Sequence, residues 1–227
     1  MTKQFIYSIV FLLLFNAGGA TAAEEERNGT EVTATLKTWM NEWKHDVPSS
    51  GRTISDNVIV LLGPAVEVEF HNGAVIEASY LMSAMGYKLP EAGVTSEFDR
   101  RDLDIAIGNW INRNVGFFIG YRNSLLKEKG TGIKEFSYGG YYSLRGTVSV
   151  RGTSSLYGNL TYLNTRFKAE GLAREEAPGW ITEIGGRTVF TKQIAMKLGY
   201  KWEKTEGETT KIKNSFRGTV LELTYVF

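Results

Sequence analysis

From residue 31 onward the chain divides into ten runs in which apolar and polar side chains alternate, and the joins between runs alternate between tight and long. The runs lie near 31–45, 57–70, 74–86, 97–110, 115–127, 134–150, 155–167, 180–191, 194–204 and 214–227. Successive strand side chains point to opposite faces, so each run reads as a strand with one apolar and one polar face. The tight joins, His71–Gly73, Ile111–Asn114, Arg151–Ser154 and Lys192–Gln193, are mostly rich in turn residues. Longer polar joins, Asp46–Asp56, Tyr87–Ser96, Glu128–Ile133, Lys168–Gly179 and Thr205–Lys213, lie between them. An antiparallel sheet then has every tight join at one end and every long join at the other. A membrane-spanning barrel keeps that rhythm and an even strand number, and its strands need ~9–11 residues to cross. The expectation is an all-β, up-and-down antiparallel transmembrane barrel of about ten strands. Two runs strain it: the second has Ile59, Leu61 and Ala65 on its polar phase and Pro64 in its middle, and 180–191 is nearly as apolar on one phase as the other. They leave an eight-stranded barrel open as the alternative.

The phases also say which face meets lipid. One phase carries residues such as Leu36, Val66, Ile76, Ile105, Phe117, Tyr142, Leu156, Leu198 and Leu221. The other carries Lys37, Glu67, Glu69, Glu77, Arg100, Asp102, Asp104, Arg122, Glu135, Arg145, Glu183, Arg187, Lys197, Lys201 and Glu222. A cationic side chain on the lipid face costs ~2–4 kcal/mol at the midplane. Reversing the phase would therefore cost on the order of tens of kcal/mol, more than a typical domain's whole stability. The charged set is expected to face the lumen, where its near-balanced signs allow mutual pairing.

The ends of the chain agree. Residues 1–23 read as a cleaved signal peptide: Lys3, an apolar run from Phe5 to Phe15, then small residues ending at Ala22-Ala23. Residues 24–227 are expected to form a single domain. The 26 Lys+Arg and 25 Asp+Glu give no basic block for nucleic acid. With no cysteine, lipoprotein processing, disulfides and thiol catalysis are excluded. The last run places Thr219, Leu221, Leu223, Tyr225 and Phe227 on one face and ends on that aromatic residue. It resembles the final strand of Gram-negative outer-membrane β-barrels, and the resemblance implies that Tyr225 and Phe227 are read by the barrel-insertion machinery. Residues Phe98–Trp110 and Asn114–Arg122 resemble a hairpin of small outer-membrane barrels of the OmpA/OmpX and OmpW-like sort. That likeness is one of pattern and carries no residue-specific motif.

Chemistry-bearing residues are sparse. His45 and His71 fall at opposite ends of the barrel in this topology, so they cannot share a metal or a catalytic centre, and no cofactor is expected. Ser49, Ser50 and Asp56 lie in the first long join near His45, a composition ordinary for loops. The carboxylate pairs Glu67/Glu69 and Asp102/Asp104 sit two apart on one wall. They could line a cation-preferring constriction or be neutralised by Arg100, Arg122, Arg145 and Arg187 in a lumen filled by side chains. Near the outer rim, Arg101, Lys127, Lys134, Lys168 and Arg217 gather where lipopolysaccharide phosphates would lie. Phe98, Tyr138, Tyr162, Trp180 and Trp202 suggest an upper aromatic girdle, and Phe70, Phe190, Tyr225 and Phe227 a lower one. The functional expectation is a non-enzymatic outer-membrane protein, monomeric, in contact with outer-membrane lipid and lipopolysaccharide, and acting as a small pore or in a structural or surface-binding role. An outer-membrane enzyme acting on lipid A or peptides, and a soluble periplasmic barrel holding an apolar ligand, are the competing readings.

Overall fold

The computed structural model describes residues 29–227 except 49, 50, 56, 92, 93 and 172. The expected signal peptide (residues 1–23), Ser49, Ser50 and Asp56 lie outside the described residues. Thirteen strands are present: β1 (Glu31–Val47), β2 (Gly51–Ile54), β3 (Ile59–Glu69), β4 (Ala74–Ser83), β5 (Tyr87–Glu91), β6 (Val94–Trp110), β7 (Val115–Glu128), β8 (Lys134–Arg151), β9 (Ser154–Ala169), β10 (Glu175–Glu176), β11 (Gly179–Val189), β12 (Ile194–Glu206) and β13 (Lys213–Val226). Ten of them close a ring in the order β1-β3-β4-β6-β7-β8-β9-β11-β12-β13, and β13 pairs back onto β1. The seam is completed where the Phe227 N–H donates to the Val32 carbonyl.

Register fixes the tilt. Cross-strand partners followed once round run Thr33, Glu67, Glu77, Ala106, Gly120, Tyr141, Leu163, Gly179, Thr205, Asn214 and then His45, so the path returns to β1 twelve residues further on. That shear over ten strands tilts them by about 40° and leaves an interior that side chains can fill.

The run at 180–191 is a full barrel strand, β11, so the barrel has ten strands and not eight. Its inward Ile181 packs with Ala106, Tyr141 and Leu163 inside the lumen, which is why both phases look apolar. The inward Ile59 and Leu61 of β3 likewise join Trp39, Trp43, Leu81, Tyr87, Phe216 and others in a core filling the outer half of the lumen. Pro64 is accommodated because the β3–β4 ladder has no bridge at Gly63 or Pro64, while the β1 side stays paired. Three short strands, β2, β5 and β10, lie within joins that read as polar loops. Strands β1, β6, β8 and β9 run 16–18 residues, longer than a crossing needs, and the short strands pair with the outer ends of β1, β6 and β9. Backbone groups there would otherwise lack partners.

The outer wall is apolar: Leu36, Val66, Ile76, Ile105, Ile107, Tyr142, Leu156, Leu198 and Leu223 are all exposed. No helix among the described residues is long and apolar enough to cross a membrane.

Candidate functional site

The densest chemistry lies inside the barrel, about the level where β6 and β7 face β12 across the lumen. Arg100 and Asp102 alternate with outward Arg101 and Leu103 on β6, and Arg122 and Ser124 occupy the inward phase of β7. Glu203 comes from β12, five strands round the ring from β6 and therefore on the opposite wall. Arg100 Nε donates to Asp102 Oδ1 at 2.9 Å and its Nη2 to Glu203 Oε1 at 2.8 Å. Arg122 Nη2 donates to Asp102 Oδ2 and to Glu203 Oε2, both at 2.9 Å, and the Ser124 hydroxyl donates to Asp102 Oδ1 at 2.6 Å. Two cations and two anions thus alternate in a closed figure that braces one wall against the other. All four are buried, with Arg100 and Asp102 each 1% exposed. Above the brace the Arg100 guanidinium lies 3.9 Å from the centre of the Phe216 ring, and Trp43 stacks on the same residue with ring centres 5.8 Å apart.

Glu203 is absent from the lumen residues expected from sequence. Its signal was the outward Trp202 beside it, which sets position 203 inward, but the residue sits one place from where the run was taken to end.

The half of the lumen toward the tight joins is more exposed. Glu77 takes both Nη groups of Arg145 in a bidentate pair. Glu222 sits between Lys37 at 3.2 Å and Lys197 at 3.3 Å, and these lysines are about a third exposed, at 32% and 37%. Asp104 lies 3.8 Å from Arg122. Glu67 faces Glu77 across the β3–β4 ladder, and Glu183 is opposite Lys201 and Arg187 opposite Lys197 across β11–β12. Glu69 lies on the inward phase at the end of β3 that leads into the tight turn to β4. The carboxylate pairs expected from sequence therefore part company: Asp102 is neutralised within the brace, and Glu67 and Glu69 lie far below it. Aromatic rings cover glycines on this inner wall. Tyr157 lies against Gly199 and Gly185, and Phe118 against Gly108 and Gly116, where any Cβ would collide with the ring. Arg145 stacks on one of these rings, 3.8 Å from the centre of Phe118, and Lys201 lies 4.1 Å from the ring centre of Trp39 in the core above.

At the outer mouth, Trp43 Nε1 donates to Asn214 Oδ1 at 2.9 Å and His45 Nδ1 lies 2.8 Å from the same oxygen, so His45 carries its proton on Nδ1. His71 sits in the turn between β3 and β4 at the far end of the barrel. A cavity of about 30 Å³, bordered by Arg100, Glu135, Glu175, Glu203 and Asn214, lies over the brace. Arg100, whose buried Nη1 has no hydrogen-bond partner among the described residues, is part of its lining, and the space suffices for water. Glu175 holds the join between β12 and β13: its carboxylate accepts the backbone N–H groups of Thr209 at 2.8 Å and Thr210 at 2.9 Å and the Thr210 hydroxyl at 2.5 Å. Burial pushes this carboxyl up, but the three donors outweigh it and hold it below the ordinary carboxylate range. A depressed folded value means the contribution is complete at neutral pH and is lost as pH falls from the ordinary carboxylate range down through the folded value. Protection of the Thr209 and Thr210 amides from hydrogen exchange, measured against pH, is expected to fall on acidification in the wild type and to be flat in Glu175→Gln. Wild-type protection unchanged between neutral and acid pH would contradict this role.

On the outside, Trp180, Trp202, Tyr162, Tyr138 and Tyr200 occupy the outward phase near the outer interface, with Tyr162–Trp180 ring centres 5.0 Å apart and Tyr200–Trp202 4.5 Å apart. Phe98 is a correction to the expected girdle. It shares the even, inward phase of Arg100 on β6 and packs inside with its ring centre 5.2 Å from that of Trp43. Tyr225 and Phe227 lie edge to face on the lower outer wall, 5.0 Å apart. Of the five basic rim residues, Arg217 pairs with Glu42 on β1. Arg101, Lys127, Lys134 and Lys168 are exposed on the neighbouring strands β6 to β9.

Neither a known sequence family nor a curated protein matches the chain. Solved structures do. The chain is similar to the outer membrane protease OmpT from Escherichia coli, with a TM-score of 0.61 and 13% identity over 91% of this chain and 99% of that one. It is also similar to an outer membrane channel from Pseudomonas putida F1, with a TM-score of 0.46 and 12% identity over 92% of this chain and 100% of that one. At such identities the likeness is one of fold. The chain is a closed antiparallel barrel of ten strands that shares its fold with the outer membrane protease OmpT.

Proposed function

We propose that the chain is a non-enzymatic outer-membrane protein whose lumen is held shut, acting in a structural or surface-binding role through its outer rim and lipid-facing wall. The observation that carries this reading is the brace: Glu203 on one wall holds Arg100 and Arg122 on the other, directly beneath a layer of buried Trp39, Trp43, Tyr87 and Phe216. Hydrated ions would have to displace both layers, and neither is loosely held. The non-enzymatic part is supported by the histidines, one bonded to an asparagine at the mouth and the other in a turn at the opposite end. A centre of the nucleophile–histidine kind needs its histidine within reach of a nucleophile and an orienting group.

Conductance tests the reading. The wild-type protein in a planar bilayer is expected to give no steady current at modest voltage, although it inserts. A stable ohmic conductance whose cation preference drops in Glu67→Gln would sink the closed reading in favour of a small pore.

A further inference from the structure

We propose that the outer rim of β6–β9 binds a phosphorylated, acylated glycolipid of the outer leaflet, with Arg101, Lys127, Lys134 and Lys168 on its phosphate groups and an acyl chain in the groove below them. The inference rests on the membrane residence in the reading above and names a partner for that surface. Three observations carry it. First, Lys127 and Lys134 are directly opposed across the β7–β8 ladder, and Lys168 faces Phe136, two positions along β8 from Lys134. Like charges directly opposed are unfavourable in a sheet, and among the described residues none of these lysines, nor Arg101, has an ion-pair partner. The nearest acid in register, Asp99 opposite Lys127, is engaged by Lys129 at 3.4 Å. Second, the rim is asymmetric. On the β13–β1 side Arg217 and Lys44 both reach Glu42, so each of those cations already has an ion-pair partner. Third, beneath the unpaired cations the lipid-facing wall is hollowed. A groove of about 460 Å³ is lined by Ile76, Ile105, Ile107, Ile119, Gly140 and Tyr142, because Gly140 leaves a gap among large neighbours.

The spacing suits one ligand with a charged head and an apolar tail. Gly140 lies six residues below Lys134 on the same face of β8, ~20 Å along a tilted strand. That puts the groove at acyl-chain depth when the lysines stand at headgroup level. Phosphate oxygens accept charge-assisted hydrogen bonds from several cations at once and relieve the repulsion between Lys127 and Lys134.

The test uses the full protein in nanodiscs of zwitterionic phospholipid, with native mass spectrometry reading retained ligand. The probes are bisphosphorylated lipid A, its dephosphorylated form and inorganic phosphate. Wild type is expected to retain lipid A, to hold the dephosphorylated form at least about tenfold more weakly, and to keep lipid A against excess inorganic phosphate. The triple variant Lys127→Gln, Lys134→Gln, Lys168→Gln should lose affinity by a similar factor. Gly140→Leu should weaken lipid A binding without affecting folding, since a Cβ there meets only Gly120 O at 3.7 Å. Arg217→Gln should bind as wild type does. A triple variant with wild-type affinity overturns the proposal. So does displacement of lipid A by inorganic phosphate with Gly140→Leu unaffected, which would reduce the site to anion binding. A lipid-free dimer abolished by Gly140→Leu would assign the groove to a second copy and overturn it as well. Wild type that enters the bilayer but retains no lipid A defeats this inference alone, whereas wild type that never enters defeats the membrane reading beneath it.

Discussion

Gly218→Ala is expected to yield almost no closed barrel. Gly218 lies on β13 opposite Asn41 of β1, at the seam where the last strand meets the first. A Cβ built there would stand 1.8 Å from the Met40 carbonyl oxygen and 2.6 Å from Asn41 Cα. Both obstacles are backbone atoms of the partner strand, so no rotamer change relieves the overlap and the strands themselves must part. Parting them at this seam breaks the one pairing that converts an open sheet into a ring, and an open edge in hydrocarbon leaves unsatisfied N–H and C=O groups that cost several kcal/mol each. The readout is the mobility shift on boiling that a closed barrel shows in detergent gels: the variant should run as unfolded material before and after heating. Gly130→Ala in the β7–β8 join, where nothing lies within 4 Å of the added Cβ, is the matched control and should fold as wild type does. Folded yield of Gly218→Ala within twofold of that control would mean the seam is looser than its register implies.

What sequence could convey about this barrel was its wall, because the period of a strand is two and a charge in lipid is costly. Leu36 against Lys37, or Ile105 against Asp104, declares its face without knowledge of any partner. The filling was harder to see. Trp39, Trp43, Ile59, Leu61 and Phe216 lie on the inward phase, and a reading that assigned the lumen to charge had no place for them. Ile59 and Leu61 looked like departures from the pattern when they were in fact the core. Phe98 was drawn to the girdle by its aromatic character alone. Partners across the lumen were hidden for a different reason: Arg100 and Glu203 are 103 residues apart, and only the shear brings them to one level. Arg217 shows the same limit on the outside, since its neutralisation by Glu42 depends on the β13–β1 register. Strands β2, β5 and β10 went unseen because they are two to five residues long and carry no periodic signal of their own.

The same burial that hid the brace makes it energetically decisive. Glu203→Ala is expected to lower stability by about 3–5 kcal/mol, the usual cost of breaking a buried ion pair from one side. The variant removes the acceptors of Arg100 Nη2 and Arg122 Nη2 together and leaves two buried guanidinium groups sharing Asp102. Glu222→Gln provides the comparison. It also deprives two cations of one carboxylate, but Lys37 and Lys197 are each about a third exposed and can turn to water, so its cost should stay near that of a solvated pair, about 1 kcal/mol or less. Urea unfolding of both variants in detergent micelles, read by tryptophan fluorescence, measures the difference, since Trp39 and Trp43 lie in the layer over the brace. Equal midpoints for the two variants would mean that water reaches Arg100 and Arg122 as freely as it reaches the lower lysines. The outer half of the lumen would then be wet, and the premise that two opposed walls are locked together by unsolvated charge would fail along with the closed reading built on it.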